Sequence, residues 1–326
     1  MEAKVLGLGN ALVDILVRIP NDDILRQFNL PKGSMQLVDE ERQAEILQAV
    51  STLDPQIVSG GSAANTIYGL ANLGVNVGFV GKTSSDELGN KYREDLGANG
   101  IIPHMLSSNT RTGSCISLIS PDSERTMVTC LGAAVELTKQ DIDPKIISLY
   151  SHLYVEGYLV QNYELIEAAF SAAKDAGLVT ILDLASYNVV EDNLDFMQKL
   201  IRKYVDVVFA NEEEATAFTG KEDQEALNEI GELAETVILK QGRRGSLVRY
   251  KGVEARVGIT KNTSIDTTGA GDLYAAGFIY GMINGKDART CAEIGAITSG
   301  NVIEVIGTKM DARRWTDIRQ AVKNLL

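Results

Sequence analysis

Residues 266–272 read Asp-Thr-Thr-Gly-Ala-Gly-Asp and lead into the apolar run 273–283, which predicts a helix. Gly269, Ala270 and Gly271 carry little side-chain bulk, so their N–H groups can approach an anion closely. The positive end of the following helix would add to that attraction. Asp272 stands beside these N–H groups, where a carboxylate can take a proton from an attacking hydroxyl. The stretch therefore predicts an anion-binding turn with a general base, and a plain helix-capping turn is the alternative.

A second glycine cluster, residues 59–66, reads Ser-Gly-Gly-Ser-Ala-Ala-Asn-Thr and opens a candidate helix over 63–73. Gly60 and Gly61 permit positive φ angles, and Asn65 carries a hydrogen-bond donor and an acceptor on one side chain. Taken alone, this pattern is typical of helix capping.

Asp14 is a charged residue among the apolar residues of a predicted strand, in the sequence Gly-Asn-Ala-Leu-Val-Asp at 9–14. A carboxylate there suits recognition of two neighbouring hydroxyls, and an outward-facing strand position is the alternative. Gly7 and Gly9 also match the first two glycines of a dinucleotide fingerprint. Leu12 occupies the third glycine position, which argues against a Rossmann dehydrogenase.

Strand-like and helix-like segments alternate regularly in the second half of the chain. The strand-like segments are 152–157, 179–184, 205–209 and 237–239. The helix-like segments between them are 164–176, 194–203 and 212–219. Because such alternation brings strands together in parallel, the chain is predicted to form an α/β fold with a mostly parallel sheet and helices on both faces.

Two hairpin-like pieces, 12–37 and 104–132, interrupt this pattern. We expect them to form a small second sheet over the main one, that is, a discontinuous lid. The sequence shows no internal repeat and no long linker, so residues 1–326 are interpreted as a single domain. An exposed lid edge either pairs with a second subunit in a homodimer or closes over a substrate, and both interpretations stay open.

Composition limits the classes of partner. The 326 residues are 44% hydrophobic and carry a formal net charge of −13, which argues against nucleic acid and anionic membranes. This charge does not exclude a nucleotide, because backbone N–H groups can meet its phosphates locally. The sequence shows neither a signal peptide nor a run of about 18 apolar residues, and its three scattered cysteines lack metal-ligand spacing. We therefore expect a cytoplasmic protein with reduced thiols.

These motifs resemble, in type and in order, those of the ribokinase-like (PfkB) family of sugar and nucleoside kinases. The resembling motifs are Gly9-Asn10…Asp14, Gly60-Gly61…Asn65, Asn211-Glu212-Glu213-Glu214, Gly242…Gly245 and Asp266…Asp272. The last is a specific match to the C-terminal signature of the family, and the order of the others covers essentially the whole chain. The resemblance implies a ribokinase-like fold with a small β-sheet lid and an ATP-dependent phosphoryl transfer to an alcohol.

The resemblance also implies roles for particular residues. Asp272 matches the base that deprotonates the acceptor hydroxyl, and the turn of Gly269, Ala270 and Gly271 matches the anion hole. The residues matched to substrate binding are Asn10, Asp14, Gly60, Gly61 and Asn65.

ATP and Mg²⁺ are the cofactors that the resemblance implies. Asn211 and Glu214 match an Asn-x-x-Glu motif that organises Mg²⁺ and phosphate through water, with no direct side-chain ligand assigned. A solvated acidic helix start is the alternative. Gly242 and Gly245 match a loop near the nucleotide, and Lys240 is assigned to nucleotide binding with them, at a position where many relatives carry a Thr.

Further nucleotide-side roles are implied for Thr268 and Asn301. Asn301 resembles a residue near adenine, and an asparagine on a helix surface is the alternative. Members of the family commonly bind a monovalent cation beside the anion hole. K⁺ is therefore a further candidate ligand, held through backbone groups around Asp266 and Thr268.

Three stretches, 112–115, 123–126 and 154–158, are similar to segments of adenosine kinases. Arg125 in the second stretch would lie on the lid and reach the nucleotide phosphates, which suits its planar and permanently charged group. An exposed arginine in a strand turn is the alternative. Met35 and Tyr158 are candidates for packing against a base, with a core position as the alternative for Met35. The leading acceptor is the primary hydroxyl of a ribofuranoside, above all adenosine.

Two other functions stay open. A kinase of a free sugar, such as ribose or fructose, would share these motifs without needing a base pocket. A nucleotide-sensing protein descended from a kinase would bind nucleotide without turnover. Such a sensor would be expected to have lost its base or its anion hole, and both Asp272 and Gly269–Gly271 are intact here.

Overall fold

The computed structural model describes residues 3–122, 124–260 and 263–326. Position 123 of the stretch 123–126 therefore lies outside the described residues. Within these ranges the strands are β1 (Lys4–Leu8), β2 (Leu12–Arg18), β3 (Met35–Leu37), β4 (Gln56–Ser59), β5 (Asn76–Ser84), β6 (Ile101–Ser108), β7 (Thr112–Ile119), β8 (Arg125–Gly132), β9 (His152–Glu156), β10 (Val179–Asp183), β11 (Val207–Asn211), β12 (Thr236–Lys240), β13 (Ser246–Tyr250) and β14 (Val253–Val257). The α-helices are α1 (Asp23–Gln27), α2 (Glu40–Val50), α3 (Ser62–Asn72), α4 (Glu87–Ala98), α5 (Pro144–Ile147), α6 (Tyr163–Asp175), α7 (Tyr187–Asp192), α8 (Leu194–Tyr204), α9 (Glu212–Thr219), α10 (Asp223–Ile230), α11 (Ala270–Ile283), α12 (Ala288–Val302) and α13 (Ala312–Lys323).

The larger sheet has nine strands among the described residues, in the order β14-β13-β12-β11-β10-β9-β1-β5-β6. Neighbours from β12 to β6 pair in parallel, whereas β13 and β14 pair antiparallel at one end. Successive residues of β11 alternate between two cores: Val208 packs in a cluster with residues of α6, α8, α9 and α10, and Phe209 in a cluster with residues of α3, α11, α12 and α13. Helices thus cover both faces, and the predicted mostly parallel α/β sheet is confirmed.

Strand β11 begins two residues later than predicted from the sequence. The N–H of Val205 donates to the carbonyl of Ile201, so Val205 is the C-cap of α8, and Asp206 separates it from the first apolar residue of the strand, Val207. The strand also ends two residues later than predicted, so Asn211 is its last residue and stands directly before α9. The boundary therefore decides which polar residue stands at the edge of the sheet.

The smaller sheet has the strand order β3-β8-β7-β2-β4 among the described residues. One face is apolar and is covered by α1 and α2, with Ile15, Ile116 and Val128 packed against residues such as Phe28 and Ile46. Because side chains alternate along a strand, the residues between them, including Asp14, point to the opposite face, which is called the inner face below.

The two segments predicted to form the lid differ in extent from this small sheet. The predicted piece 104–132 begins inside β6, which pairs in parallel with β5 and belongs to the larger sheet. The small sheet also includes β4, which lies outside both predicted pieces and pairs antiparallel with β2. Helix α4 between β5 and β6 makes a parallel crossover, and this places β6 in the larger sheet. No helix in the described part of the chain is long and apolar enough to cross a membrane.

Candidate active site

A cavity of about 800 Å³ lies between the carboxyl ends of the parallel strands and the inner face of the small sheet. Asn10 follows β1, and the last residues of β9, β10, β11 and β12 are Glu156, Asp183, Asn211 and Lys240. All of these residues line the cavity. In a parallel α/β sheet the carboxyl ends of the strands are the usual place for a ligand, because the loops that follow them meet there.

The fold brings most of the predicted site residues to this cavity. The predicted residues on its wall are Asn10, Asp14, Gly61, Asn65, Arg125, Asn211, Glu214, Lys240, Gly242, Gly245, Thr268, Gly269, Ala270, Gly271 and Asp272. Gly60 and Asn301 are not on the wall. Gly60 lies directly behind Asp14, since a Cβ added to Gly60 would come 2.2 Å from Asp14 Oδ2. Asn301 Nδ2 donates to the carbonyl of Ile297 at 2.9 Å, within α12. The contact of Asn301 with adenine therefore stays a prediction.

Asp272 lies in the first turn of α11 and faces α3 across the cavity. Its Oδ1 accepts a hydrogen bond from Ser62 Oγ at 2.7 Å, and its Oδ2 accepts one from Asn65 Nδ2 at 3.0 Å. Burial raises the pKa of Asp272 to about 6, against the opposing effect of these two hydrogen bonds. The carboxyl group is thus a carboxylate at neutral pH with a basicity suited to accepting a proton.

The glycine-rich turn precedes α11 and requires glycine for a steric reason. Gly269 is the N-cap of α11 and has φ of 70°, in the left-handed region. A Cβ at Gly269 would come 2.3 Å from Thr308 Cγ2. The N–H groups of the first turn of α11 have no partners within the helix, so this end attracts an anion.

Asp266 stabilises the glycine-rich turn through hydrogen bonds to Thr268 and Gly307. Its Oδ1 accepts hydrogen bonds from the N–H and the hydroxyl of Thr268 at 2.9 and 2.6 Å, and its Oδ2 accepts one from the N–H of Gly307 at 2.8 Å. Arg125, from β8 of the small sheet, donates to the Thr268 hydroxyl from the other side. Arg125 therefore connects the small sheet to the glycine-rich turn before α11.

Glu156 is a site residue to which the sequence analysis assigned no role. It is 1% exposed, and its Oε1 accepts hydrogen bonds from the N–H and Nδ2 of Asn10 at 2.9 and 2.8 Å. Its Oε2 accepts one from the N–H of Ala63 at 2.9 Å, which joins the end of β1 to the start of α3. Burial raises the pKa of Glu156 to about 7, against these hydrogen bonds. An acidic residue ending the apolar strand 152–156 was the available signal.

The inner face of the small sheet combines one carboxylate with an apolar surface. Burial raises the pKa of Asp14 to about 6, and the nearby charges of Arg125 and Lys309 oppose that rise. The apolar residues of the small sheet on the cavity wall are Leu12, Met35, Leu37, Met127 and Leu131. A ligand with hydroxyl groups at one end and an apolar ring at the other fits this wall.

Asn211 and Glu214 form a capping box at the start of α9. Asn211 Oδ1 accepts from the N–H of Glu214 at 2.8 Å, and the N–H and Nδ2 of Asn211 each donate to the Glu214 carboxylate at 2.7 Å. Burial raises the pKa of Glu214. No cluster of three or more metal-ligating side chains occurs in the described residues. This donor set fits a magnesium ion that keeps several waters and is held largely by phosphates, and the contact of Asn211 and Glu214 with it through water stays a prediction.

The fold and the site together define the ribokinase-like class of kinases. The chain matches the pfkB family of carbohydrate kinases over residues 36–314, and it belongs to this family. It is therefore a kinase, and membership implies the use of ATP. The fold and the family expected from the sequence are both confirmed.

Similar proteins include nucleoside and sugar kinases. The structure of adenosine kinase from Sinorhizobium meliloti is 34% identical, with a TM-score of 0.90 and coverage of 98% of this chain and 100% of that chain. The structure of a probable sugar kinase from Rhizobium etli CFN 42 is 32% identical, with a TM-score of 0.91 and coverage of 100% of this chain and 99% of that chain. Adenosine kinase from Saccharomyces cerevisiae is 26% identical in an alignment that covers 94% of this chain and 96% of the yeast protein.

Proposed function

We propose that this kinase transfers the γ-phosphoryl group of ATP to the primary hydroxyl of a ribofuranoside, with adenosine as the leading acceptor. The observation that carries the proposal is the inner face of the small sheet. Asp14 and Leu12 point to the same face of β2, and Met35 and Met127 are paired neighbours on β3 and β8. A carboxylate for ribose hydroxyls thus shares a sheet with an apolar surface for a base.

The relatives support a nucleoside acceptor without excluding a sugar. Two of the similar proteins described above are adenosine kinases, from Sinorhizobium meliloti and Saccharomyces cerevisiae. The Rhizobium etli structure is of a probable sugar kinase. Phosphorylation of a free sugar is therefore the alternative that an experiment has to separate from phosphorylation of adenosine.

The proposed reaction assigns roles to Asp272, to the glycine turn at 269–271 and to the pair Asn211 and Glu214. The Asp272 carboxylate takes the proton of the acceptor hydroxyl while the hydroxyl oxygen forms a bond to the γ-phosphorus. The bond from that phosphorus to the β,γ-bridging oxygen breaks, and ADP leaves with the electron pair. The N–H groups of Gly269–Gly271 hold the charge on the transferred group. Asn211 and Glu214 would hold magnesium through water when it is bound with ATP, and the ion would neutralise phosphate charge.

ADP release with a panel of acceptors tests the proposal. Adenosine is expected to give a kcat/KM at least about 100-fold above that of ribose or fructose, because the apolar wall contributes binding energy only to an acceptor with a base. Reactions without acceptor control for ATP hydrolysis. Equal or higher kcat/KM for a free sugar would assign the sugar instead, and nucleotide binding with no turnover of any acceptor would contradict the proposal.

A further inference from the structure

Lys240 lies beside the anion-binding turn in a position that the reaction above does not use. It is the last residue of β12, its side chain is 15% exposed, and it lines the cavity. A Cβ added to Gly271 would come 3.3 Å from Lys240 Nζ. The ammonium group is therefore a direct neighbour of the turn that is proposed to hold the transferred phosphoryl group.

The ammonium group is held on one side and open on the other. Lys240 Nζ donates to Asp183 Oδ2 at 2.8 Å, and within the described residues this is the one hydrogen bond that Nζ makes. An ammonium group has three N–H donors, so two remain for a ligand. Burial opposes the charge, but the carboxylates of Asp183, Glu214 and Asp272 outweigh it and hold the pKa of Lys240 above its ordinary value. Lys240 is thus a cation throughout the neutral pH range.

The cavity wall carries more carboxyl groups than cationic groups. The carboxyl groups on the described wall are Asp14, Glu156, Asp183, Glu212, Glu213, Glu214 and Asp272. The cations on it are Arg125, Lys240 and Arg243. A polyphosphate that enters the cavity adds further negative charge, which fixed cations must offset. Arg125 reaches one flank of the turn from the small sheet, at Thr268, whereas Lys240 reaches the other flank from the larger sheet, at Gly271.

We propose that Lys240 is a catalytic residue whose ammonium group binds the transferred phosphoryl group, and that Asp183 is the positioning residue that holds this ammonium group beside the turn. The inference rests on the proposed direction of transfer toward Asp272 and not on the identity of the acceptor. The bonds made and broken are those given above. Lys240 stays protonated throughout, and its fixed charge stabilises the negative charge that the phosphoryl oxygens share during transfer.

Substitution of the pair tests this role. Lys240→Met removes the cation, and Lys240→Met with Asp183→Asn also removes the carboxylate that would otherwise be left buried without its partner. Both variants are expected to lose on the order of 100-fold in kcat. They are also expected to lose more affinity for ATP than for ADP in calorimetric titrations without acceptor, because the contact is to the transferred group. A purely structural role would weaken ATP and ADP binding equally.

Two further variants separate charge from folding. Lys240→Arg keeps the cation and is expected to recover at least about tenfold of the lost kcat. Asp183→Asn alone is expected to lower kcat while leaving ATP affinity unchanged or higher, because it removes a negative charge but lets the ammonium group move. Lys82 is a matched control, since its side chain is also 15% exposed and it pairs with Asp141 at 3.3 Å outside the cavity wall. Lys82→Met should keep kcat within about twofold of the parent.

The outcomes distinguish this inference from the proposed acceptor. A folded double variant with kcat and ATP affinity within about threefold of the parent protein would overturn the role of Lys240. A parent protein that phosphorylates a sugar and not adenosine would overturn only the acceptor, since the ATP and ADP titrations need no acceptor and kcat can be measured with that sugar. If Lys240→Met alone fails to fold, the double variant and Lys240→Arg still decide the question.

Discussion

Asp272 owes its orientation to a chain of hydrogen bonds between side chains from three parts of the sequence. The hydroxyl of Thr308 donates to Asn65 Oδ1 at 2.9 Å, so the Nδ2 group of Asn65 must face Asp272. Ser62 donates to the other carboxylate oxygen. The carboxylate is therefore held in place before any substrate arrives, which reduces the reorganisation that the reaction requires.

The pH dependence of turnover should reveal this carboxylate. The pKa of Asp272 is raised to about 6, so its charged form is lost as the pH falls through 6. At saturating acceptor, kcat is expected to fall about tenfold per pH unit below that value. Asp14 also has a pKa of about 6, so kcat/KM for the acceptor should fall more steeply than kcat. Rate profiles from pH 5 to 8 measure both slopes.

Asp272→Asn should lower kcat by about 10²–10⁴-fold, because the amide cannot accept the hydroxyl proton. Asp287→Asn is a control, since Asp287 also stands at a helix start, where it accepts from the N–H of Thr290, and it is not on the cavity wall. Its kcat should match that of the parent protein. An Asp272→Asn variant that keeps kcat within tenfold would remove Asp272 from the role of base.

The junction between β4 and α3 contains a glycine, Gly61, at a position where the backbone leaves no room for a side chain. Gly61 has φ of 91°, and a Cβ there would come 2.4 Å from the carbonyl oxygen of Asn10. That carbonyl belongs to the loop between β1 and β2, which also carries the Glu156 hydrogen bonds. Close packing of these two backbones sets the distance between the small sheet and α3.

Gly61→Ala should therefore lower the free energy of unfolding much more than an alanine at a glycine with the same φ but no atoms near its added Cβ. Gly74 has the same φ of 91° and no atom within 4 Å of an added Cβ. Gly74→Ala is expected to cost about 1–2 kcal/mol of unfolding free energy from backbone strain alone. Gly61→Ala should cost at least about 3 kcal/mol and also raise KM for the acceptor. Denaturant titrations and KM measurements compare the two, and equal losses would contradict the packing argument.

The whole molecule has two sheets on opposite sides of a cavity, and Arg125 connects the small sheet to the turn before α11. The outer face of the small sheet is covered by α1 and α2, so the exposed edges β3 and β4 are what it offers to a second subunit. A homodimer through such an edge, one of the two interpretations that the sequence leaves open, stays a prediction. The inner face lines the cavity, and closure of the small sheet over a bound substrate would exclude water from the transfer.

Arg125→Gln tests whether the contact between the small sheet and the turn before α11 serves catalysis. It should lower kcat about 100-fold, because one donor to the phosphoryl group is lost, and should lower the melting temperature by no more than about 4 °C. Arg18→Gln on the same sheet is the control, since Arg18 is exposed at the end of β2. If kcat of Arg125→Gln stays at the level of Arg18→Gln, Arg125 is only a structural contact.

Residue patterns determined the parallel sheet, the helix that contains Asp272 and the glycine turn before it, because these features depend on spacing along the chain and on the steric demands of neighbouring residues. Tertiary structure alone decided which distant groups meet. The ion pair between Lys240 and Asp183 joins residues 57 positions apart, and Glu156 lies 146 positions from Asn10. The extent of the small sheet was also decided this way, since β4 joins it by pairing with β2. Such pairings depend on backbone hydrogen bonds and buried charges between segments that no local pattern connects.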